Sequence, residues 1–251
     1  MLRKEDARLL RGGGKYVSDI TLPGQLHAAF VRSTLAHARL LDVDVSRART
    51  LQGVVAVLKA SDLDGIVRPI RAVSGAPGYR PCDTPVLAER KVRMVGEMIA
   101  IVVAEDRYRA EDGVAAVRVD LDPLLPLMSI EDALADGALP IHEDAPENLF
   151  NSFEQQIGDV AGALRSADEV IELEITQQRY CAVALEGRVV NARYEQAEDS
   201  LEIWLSTQVP HIARTGIAKH LAMPENRVRV IAPDIGGGFG PKCVLYPEEL
   251  A

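Results

Sequence analysis

The sequence has few cysteines, and its longest apolar run is short; each shortage excludes a class of protein. Its three cysteines, Cys82, Cys181 and Cys243, lie far apart and form no Cys-x-x-Cys pair. This spacing excludes a disulfide framework, a structural zinc site and a four-cysteine iron–sulfur cluster within the chain. The longest clean apolar run, residues 98–104, is far too short to span a bilayer. The first ten residues mix both charges without an apolar signal core, so we expect a cytoplasmic protein.

Basic and aromatic residues are also scarce. The chain has 28 Lys and Arg against 37 Asp and Glu, a formal net charge of −9, and only 4% aromatic residues. An acidic surface with few stacking side chains has no global attraction for nucleic acid or for an anionic membrane, so neither is expected as a partner. The 251 residues, 47% of them hydrophobic, suffice for one or two domains with a substantial core.

Periodicity in the first half predicts a mixed helix and strand structure. Alternating or continuous apolar runs predict strands at 26–32, 39–45, 53–58, 98–103 and 117–121, and a helix at 106–117. Residues 64–86, rich in Gly, Pro and Arg, predict a long surface loop, and residues 137–155 an extended connection.

The second half shows the same mixture. Strands are predicted at 170–176 and 228–232, a hairpin at 188–194 and 201–205 across residues 198–200, and a helix from Pro210 to about Met223. The predicted fold class is therefore α+β, in two parts.

Glycine clusters at 236–240, directly after the last predicted strand. Four glycines around Phe239 permit backbone conformations closed to other residues, and they let main-chain N–H groups approach an anionic ligand. Taken alone, the cluster favours a tight turn with close backbone packing over a ligand site. Pro241 breaks both the dinucleotide pattern and the phosphate-loop pattern, so the common nucleotide sites are disfavoured.

Few other residues carry a chemical pattern. The five histidines form no close ligand pair, so a metal held by protein side chains has little support. Glu186 and Arg188 form either a buried ion pair or a hairpin rim. Gln208 lies where a strand ends and a helix begins, which fits a ligand contact or a structural role. Cys243 either faces a pocket or packs as a small apolar residue.

Seven segments, taken in order, resemble one family. They are 11–19 (RGGGKYVSD), 30–39 (FVRSTLAHAR), 95–103 (VGEMIAIVV), 185–188 (LEGR), 206–208 (STQ), 236–242 (GGGFGPK) and 246–249 (YPEE). In this order they resemble the molybdopterin-binding large subunit of molybdenum hydroxylases, the group of xanthine dehydrogenase, aldehyde oxidoreductase and carbon monoxide dehydrogenase.

The resemblance implies a fold and a site. The fold would be an α/β hammerhead domain at 1–122, a linker at 123–160, and at 161–251 the beginning of a molybdopterin-binding α+β domain. Gln208 would approach the apical oxygen of the molybdenum centre, and the backbone amides of Gly237, Gly238, Phe239 and Gly240 would adjoin the molybdenum and the pterin. Main-chain donors suit an anionic cofactor held without side-chain ligands. This interpretation requires Gln208 and Phe239 to lie close together.

The resemblance also implies a reaction and partners. Molybdopterin in its cytosine dinucleotide form would support hydroxylation of a small aldehyde or heteroaromatic substrate with oxygen from water. Iron–sulfur clusters and FAD would lie on partner subunits. The family's general-base Glu lies in a C-terminal part, so this chain would hold no catalytic residue and would need a partner chain carrying the rest of the molybdopterin domain.

Departures from the family pattern keep other interpretations open. Gly187 replaces the proline of the usual Met-Glu-Pro-Arg, and Cys243 and Val244 follow Lys242 where purine-oxidising members carry a Glu, which argues against a purine substrate. A non-catalytic binding or assembly module with the same fold is the main alternative. An unrelated enzyme using Glu186 or Cys243 is the third.

Overall fold

The computed structural model describes residues 3–72 and 74–251, and in these it combines helices and strands. The strands are β1 (His27–Arg32), β2 (Ala38–Asp44), β3 (Val54–Lys59), β4 (Ile70–Arg71), β5 (Asp83–Thr84), β6 (Lys91–Val92), β7 (Met98–Ala104), β8 (Arg118–Pro123), β9 (Val190–Glu195), β10 (Ser200–Leu205) and β11 (Val228–Ile231). The α-helices are α1 (Asp6–Leu9), α2 (Ser46–Arg49), α3 (Arg107–Ala116), α4 (Ile130–Leu134), α5 (Val160–Ser166) and α6 (Pro210–His220). The predicted α+β class is confirmed.

The first part of the chain forms two three-stranded antiparallel sheets. In one, β7 lies between β1 and β3, and in the other β2 lies between β6 and β8. All but one of the seven residues of β7 are buried, as its continuous apolar run predicts. Asp106 caps the N-terminus of helix α3, since its side chain accepts a hydrogen bond from the N–H of Arg109. The helix packs closely on β7, because a Cβ at Gly113 would lie 2.5 Å from the Val102 side chain.

The second part contains the predicted hairpin and a parallel crossover. Strands β9 and β10 pair antiparallel, and β11 returns parallel to β10 through α6. Pro210 occupies the first turn of α6, where its missing N–H costs no hydrogen bond. The helix ends at His220 rather than near Met223, because Ala222 has a φ of 53° and Met223 N–H turns back to the Ala218 carbonyl.

A continuous apolar core joins the two parts. Side chains from both contribute to it: Val86, Leu87, Met98 and Ile101 from the first part, and Ile203, Leu205, Ala213, Ile217 and Val228 from the second. Because β10 and α6 are packed into this core, the segment between them, which contains Gln208, has a fixed position.

The predicted strand at 170–176 is wrong. No helix or strand lies between the end of α5 and the start of β9, and the apolar side chains of Val170, Ile171, Leu173 and Ile175 are all exposed. A strand needs a neighbour for its backbone hydrogen bonds, and no described residue supplies one here.

The predicted loop at 64–86 contains a short ladder. Ile70 pairs with Thr84 and Arg71 with Asp83, and the Arg71 side chain also donates to the Asp83 carboxylate at 2.6 Å. Val73 lies outside the described residues. In residues 3–72 and 74–251, no helix has the length and hydropathy needed to cross a membrane.

Candidate functional site

The glycine turn, residues 236–240, follows β11 and has an unusual backbone. Gly237, Phe239 and Gly240 have φ values of 103°, 51° and 96°, a region that favours glycine. The Phe239 ring is 72% exposed. Within the described part of the chain, the N–H groups of Gly237, Gly238 and Phe239 have no hydrogen-bond acceptor; we call them the free amides.

Gln208 lies against this turn. Its side-chain Oε1 accepts a hydrogen bond from Gly240 N–H at 3.0 Å. A Cβ at Gly238 would lie 2.3 Å from Gln208 Cδ, so any other residue there would require the Gln208 side chain to move. The structure therefore places Gln208 in contact with Gly238 and Gly240, the two neighbours of Phe239. The Gly240 N–H already donates to Gln208, so it is not available to a ligand.

Glu186 holds the two ends of the turn together. Its Oε2 accepts from Gly236 N–H at 2.8 Å and from Lys242 Nζ at 2.8 Å. A Cβ at Gly236 would lie 2.5 Å from Glu186 Cβ, so the two backbones are in close contact. The Lys242 and Glu186 side chains are only 2% and 10% exposed. Glu186 Oε1 is buried and has no hydrogen-bond partner among the described residues.

Lys242 also anchors the segment that carries Gln208. The Lys242 carbonyl accepts hydrogen bonds from Gln208 N–H at 2.9 Å and from the Thr207 hydroxyl at 3.2 Å. The same residue therefore contacts Glu186 through its ammonium and residues 207–208 through its backbone. Lys242 was not among the site residues predicted from the sequence, although its position one proline after the glycine turn was a usable signal.

Arg188 does not pair with Glu186, so the first of the two alternatives given for them, a buried ion pair with each other, is wrong. Its guanidinium lies 3.4 Å from the centroid of the Tyr246 ring and bonds Glu248 at 3.2 Å and Glu249 at 3.5 Å. Each side chain is instead held by other partners, since Glu186 is neutralised by Lys242 at 2.8 Å and Arg188 lies between Tyr246 and two carboxylates.

The pKa values of Glu248 and Glu249 are shifted in opposite directions. Burial raises the pKa of Glu248, but hydrogen bonds from its own N–H and from Arg32, with the charge of Arg188, outweigh it and leave the pKa below its usual value. Burial dominates at Glu249 and raises its pKa. Arg32 belongs to β1 and bonds Glu248 at 2.9 Å, so this cluster links the first sheet to the site.

Cys243 is the remaining candidate from the sequence, and no hydrogen bond of its side chain with Gln208 or the glycine turn is found among the described residues. Cys243 is half-buried, and its N–H donates to the Gly240 carbonyl. In residues 3–72 and 74–251, no three His, Cys, Asp or Glu side chains lie close enough to hold a metal ion together.

Two family models match the chain. The aldehyde oxidase and xanthine dehydrogenase a/b hammerhead domain matches residues 11–125, and the molybdopterin cofactor-binding domain matches residues 141–251. The chain belongs to the molybdenum hydroxylase large-subunit family. Its fold is the a/b hammerhead domain followed by a molybdopterin-binding α+β fold, and Gln208 and the glycine turn both lie in the latter.

Related proteins match the chain over nearly its whole length. It is 39% identical over 99% of its residues to the nicotine 6-hydroxylase large subunit of Paenarthrobacter nicotinovorans, and 37% identical over 97% to the carbon monoxide dehydrogenase large chain of Afipia carboxidovorans. The crystal structure of quinoline 2-oxidoreductase from Pseudomonas putida 86 superposes over the whole chain with a TM-score of 0.94 at 36% identity. The chain spans 30%, 31% and 32% of these three proteins, about a third of their length.

The residues of the site fit a molybdopterin group. An anionic cofactor needs hydrogen-bond donors that are not neutralised by a carboxylate, and the turn offers the free amides. The Gln208 amide nitrogen adds a donor, since within the described residues only its oxygen has a partner. Glu186, the carboxylate that contacts the turn, is buried and neutralised by Lys242.

Proposed function

We propose that this chain contributes part of the cofactor site of a molybdenum hydroxylase that oxidises an aldehyde or heteroaromatic substrate. The observation that carries the proposal is the contact between Gln208 and the glycine turn, whose free amides, like the Gln208 amide nitrogen, have no partner among the described residues. When bound, the molybdenum cofactor supplies a two-electron oxidation in which water is the oxygen source. The cofactor we propose is molybdopterin in its cytosine dinucleotide form.

The proposed site residues act through hydrogen bonds and shape. Gln208 and the backbone of Gly237, Gly238, Phe239 and Gly240 bind the cofactor, with Gln208 and Phe239 nearest the molybdenum. Gly240 contributes by orienting Gln208, because its N–H is bonded to Gln208 Oε1. The chain itself supplies no catalytic acid or base in this proposal.

We further propose the domain limits 1–122, 123–160 and 161–251, and that catalysis needs a C-terminal molybdopterin-domain chain, an iron–sulfur subunit and an FAD subunit. The names of two relatives support a heteroaromatic substrate, since nicotine and quinoline both contain a nitrogen heterocycle. The exposed apolar side chains of residues 170–175 support a further packing partner.

Co-expression tests this function. The chain is produced together with the remaining part of the molybdopterin-binding domain, and the purified complex is assayed for molybdenum by elemental analysis and for CMP after acid hydrolysis. We expect molybdenum and CMP in equal amounts, and both reduced by Gln208→Ala. A folded complex that contains neither would defeat the proposal and favour the non-catalytic module.

A further inference from the structure

A buried ion pair lies directly behind the glycine turn. Glu186 Oε2 lies 2.8 Å from Lys242 Nζ, and both side chains are at least nine-tenths buried. Burying two charges costs several kcal/mol of desolvation, which their attraction repays only in good geometry. A pair of this kind is weak evidence for stability, so its position in the site needs another explanation.

The contacts of the pair supply that explanation. Glu186 bonds the first residue of the turn, Gly236, while Lys242 follows the turn after one proline. The Lys242 carbonyl in turn accepts from Gln208 N–H and from the Thr207 hydroxyl. One connected network therefore fixes both ends of the glycine turn and the segment carrying Gln208.

Lys242 is not placed to act as a cation for the cofactor. Its side chain is 2% exposed, and its ammonium is directed at Glu186. A lysine that binds a phosphate needs an accessible, unneutralised ammonium. The pair therefore acts through the turn rather than by touching the ligand.

We propose that Glu186 and Lys242 are positioning residues that hold the glycine turn and Gln208 in the arrangement the cofactor needs; this rests on the proposed function. Residues that orient the groups around a metal centre commonly change metal affinity by about 10- to 100-fold when they are replaced. We expect an effect of that size on cofactor retention, because the free amides lie between the two anchored ends of the turn.

The test uses the complex of this chain with the rest of the molybdopterin-binding domain. Glu186→Gln combined with Lys242→Met removes both charges, so none is left buried without a partner, while the new amide oxygen still accepts from Gly236 N–H. Arg214→Met with Glu225→Gln likewise removes both charges of an ion pair, here an exposed one between α6 and a residue after it, and is the matched control. Lys242→Arg retains the charge and tests for partial rescue.

Three readouts are compared: melting temperature, rate of molybdenum loss into a chelator, and the electron paramagnetic resonance spectrum of the partially reduced metal. We expect the double variant to melt close to the parent, to lose molybdenum about tenfold faster, and to show an altered spectrum. We expect the control to match the parent in all three, and Lys242→Arg to lie between the parent and the double variant.

Other outcomes separate this inference from the proposed function. A folded double variant with the parent's loss rate and spectrum overturns the inference and leaves the proposed function intact. An unfolded double variant also overturns it, because the pair is then a determinant of folding. A parent complex without molybdenum overturns the proposed function itself, and the inference with it.

Discussion

Gln208 fills the space beside Gly238 that any other residue's Cβ would occupy. A Cβ at Gly238 would lie 2.3 Å from Gln208 Cδ and 2.5 Å from its Oε1. The same Oε1 is bonded to Gly240 N–H, so the side chain cannot move away without losing that hydrogen bond. A Cβ at position 238 would therefore force the Gln208 side chain to shift and to give up its hydrogen bond with Gly240.

Gly238→Ala should consequently displace Gln208 and weaken cofactor binding. In the complex with the remaining molybdopterin-binding domain, we expect molybdenum retention to fall by about tenfold. Gly187→Ala is the control, since a Cβ at Gly187 would meet nothing within 4 Å. Equal molybdenum contents in the two variants would show that the Gln208 position does not matter for the cofactor.

Gln208→Glu separates hydrogen bonding from charge. A carboxylate still accepts from Gly240 N–H, but it replaces the amide donor with a negative charge at the surface proposed for an anionic cofactor. We expect an unchanged melting temperature and a several-fold lower molybdenum content. Gln52→Glu makes the same change at an exposed position in the first part of the chain. A similar molybdenum content in both variants would contradict the proposed role.

Local pattern was sufficient to predict most of the secondary structure. Strand β7 and the β9–β10 hairpin were predicted correctly because residues that are adjacent in the sequence specify them: a continuous apolar run in the first case and a turn between two alternating segments in the second. The strand expected at 170–176 has the correct alternation, but pairing depends on a neighbour that local pattern does not specify.

The site was predictable only in part. Gln208 and the glycine turn were identified as candidates by resemblance, and the structure brings them into contact. Glu186 was a candidate through the nearby Arg188, but its partner Lys242 is 56 residues away. Spacing along the chain does not indicate such a partner, since a contact at that separation arises only from the tertiary fold.

Arg188→Lys should destabilise the cluster that joins β1 to the site. The guanidinium stacks over Tyr246 and reaches both Glu248 and Glu249, which a single ammonium cannot do. We expect a loss of about 1–2 kcal/mol in the free energy of unfolding by urea. Arg193→Lys alters an exposed pair with Glu202 and should cost less than about 0.5 kcal/mol. Equal costs would mean that the stacking contributes nothing.

The exposed apolar side chains of residues 170–175 should make the isolated chain self-associate. Ile171 and Ile175 are 86% and 78% exposed. Replacing both with threonine should reduce self-association and the binding of a dye that recognises exposed apolar surface, while the melting temperature stays unchanged. Ile66→Thr, at another exposed isoleucine, is the control. Sedimentation velocity measures the association, and an unchanged profile in the double variant would place the association surface elsewhere.

Protonation of Asp234 at low pH should weaken the contact between the N-terminal segment and the residues just before the glycine turn. Its carboxylate accepts from the Arg8 guanidinium at 2.6 Å and from Lys15 N–H at 2.8 Å. The Arg8 hydrogen bond, followed by the one from Lys15, lowers the pKa of Asp234 from 3.8 to about 2.

Because this pKa is lowered on folding, the stabilising effect is complete above pH 4 and declines as the pH falls toward about 2. The Asp234→Asn variant should therefore have a lower melting temperature than the parent at pH 5. This difference in melting temperature should become smaller as the pH falls from 4 toward about 2. Asp64→Asn, in the loop after β3, makes the same change outside this contact and should show no such trend. A difference that stays constant between pH 5 and pH 2 would mean that the carboxylate's charge does not hold the Arg8 contact.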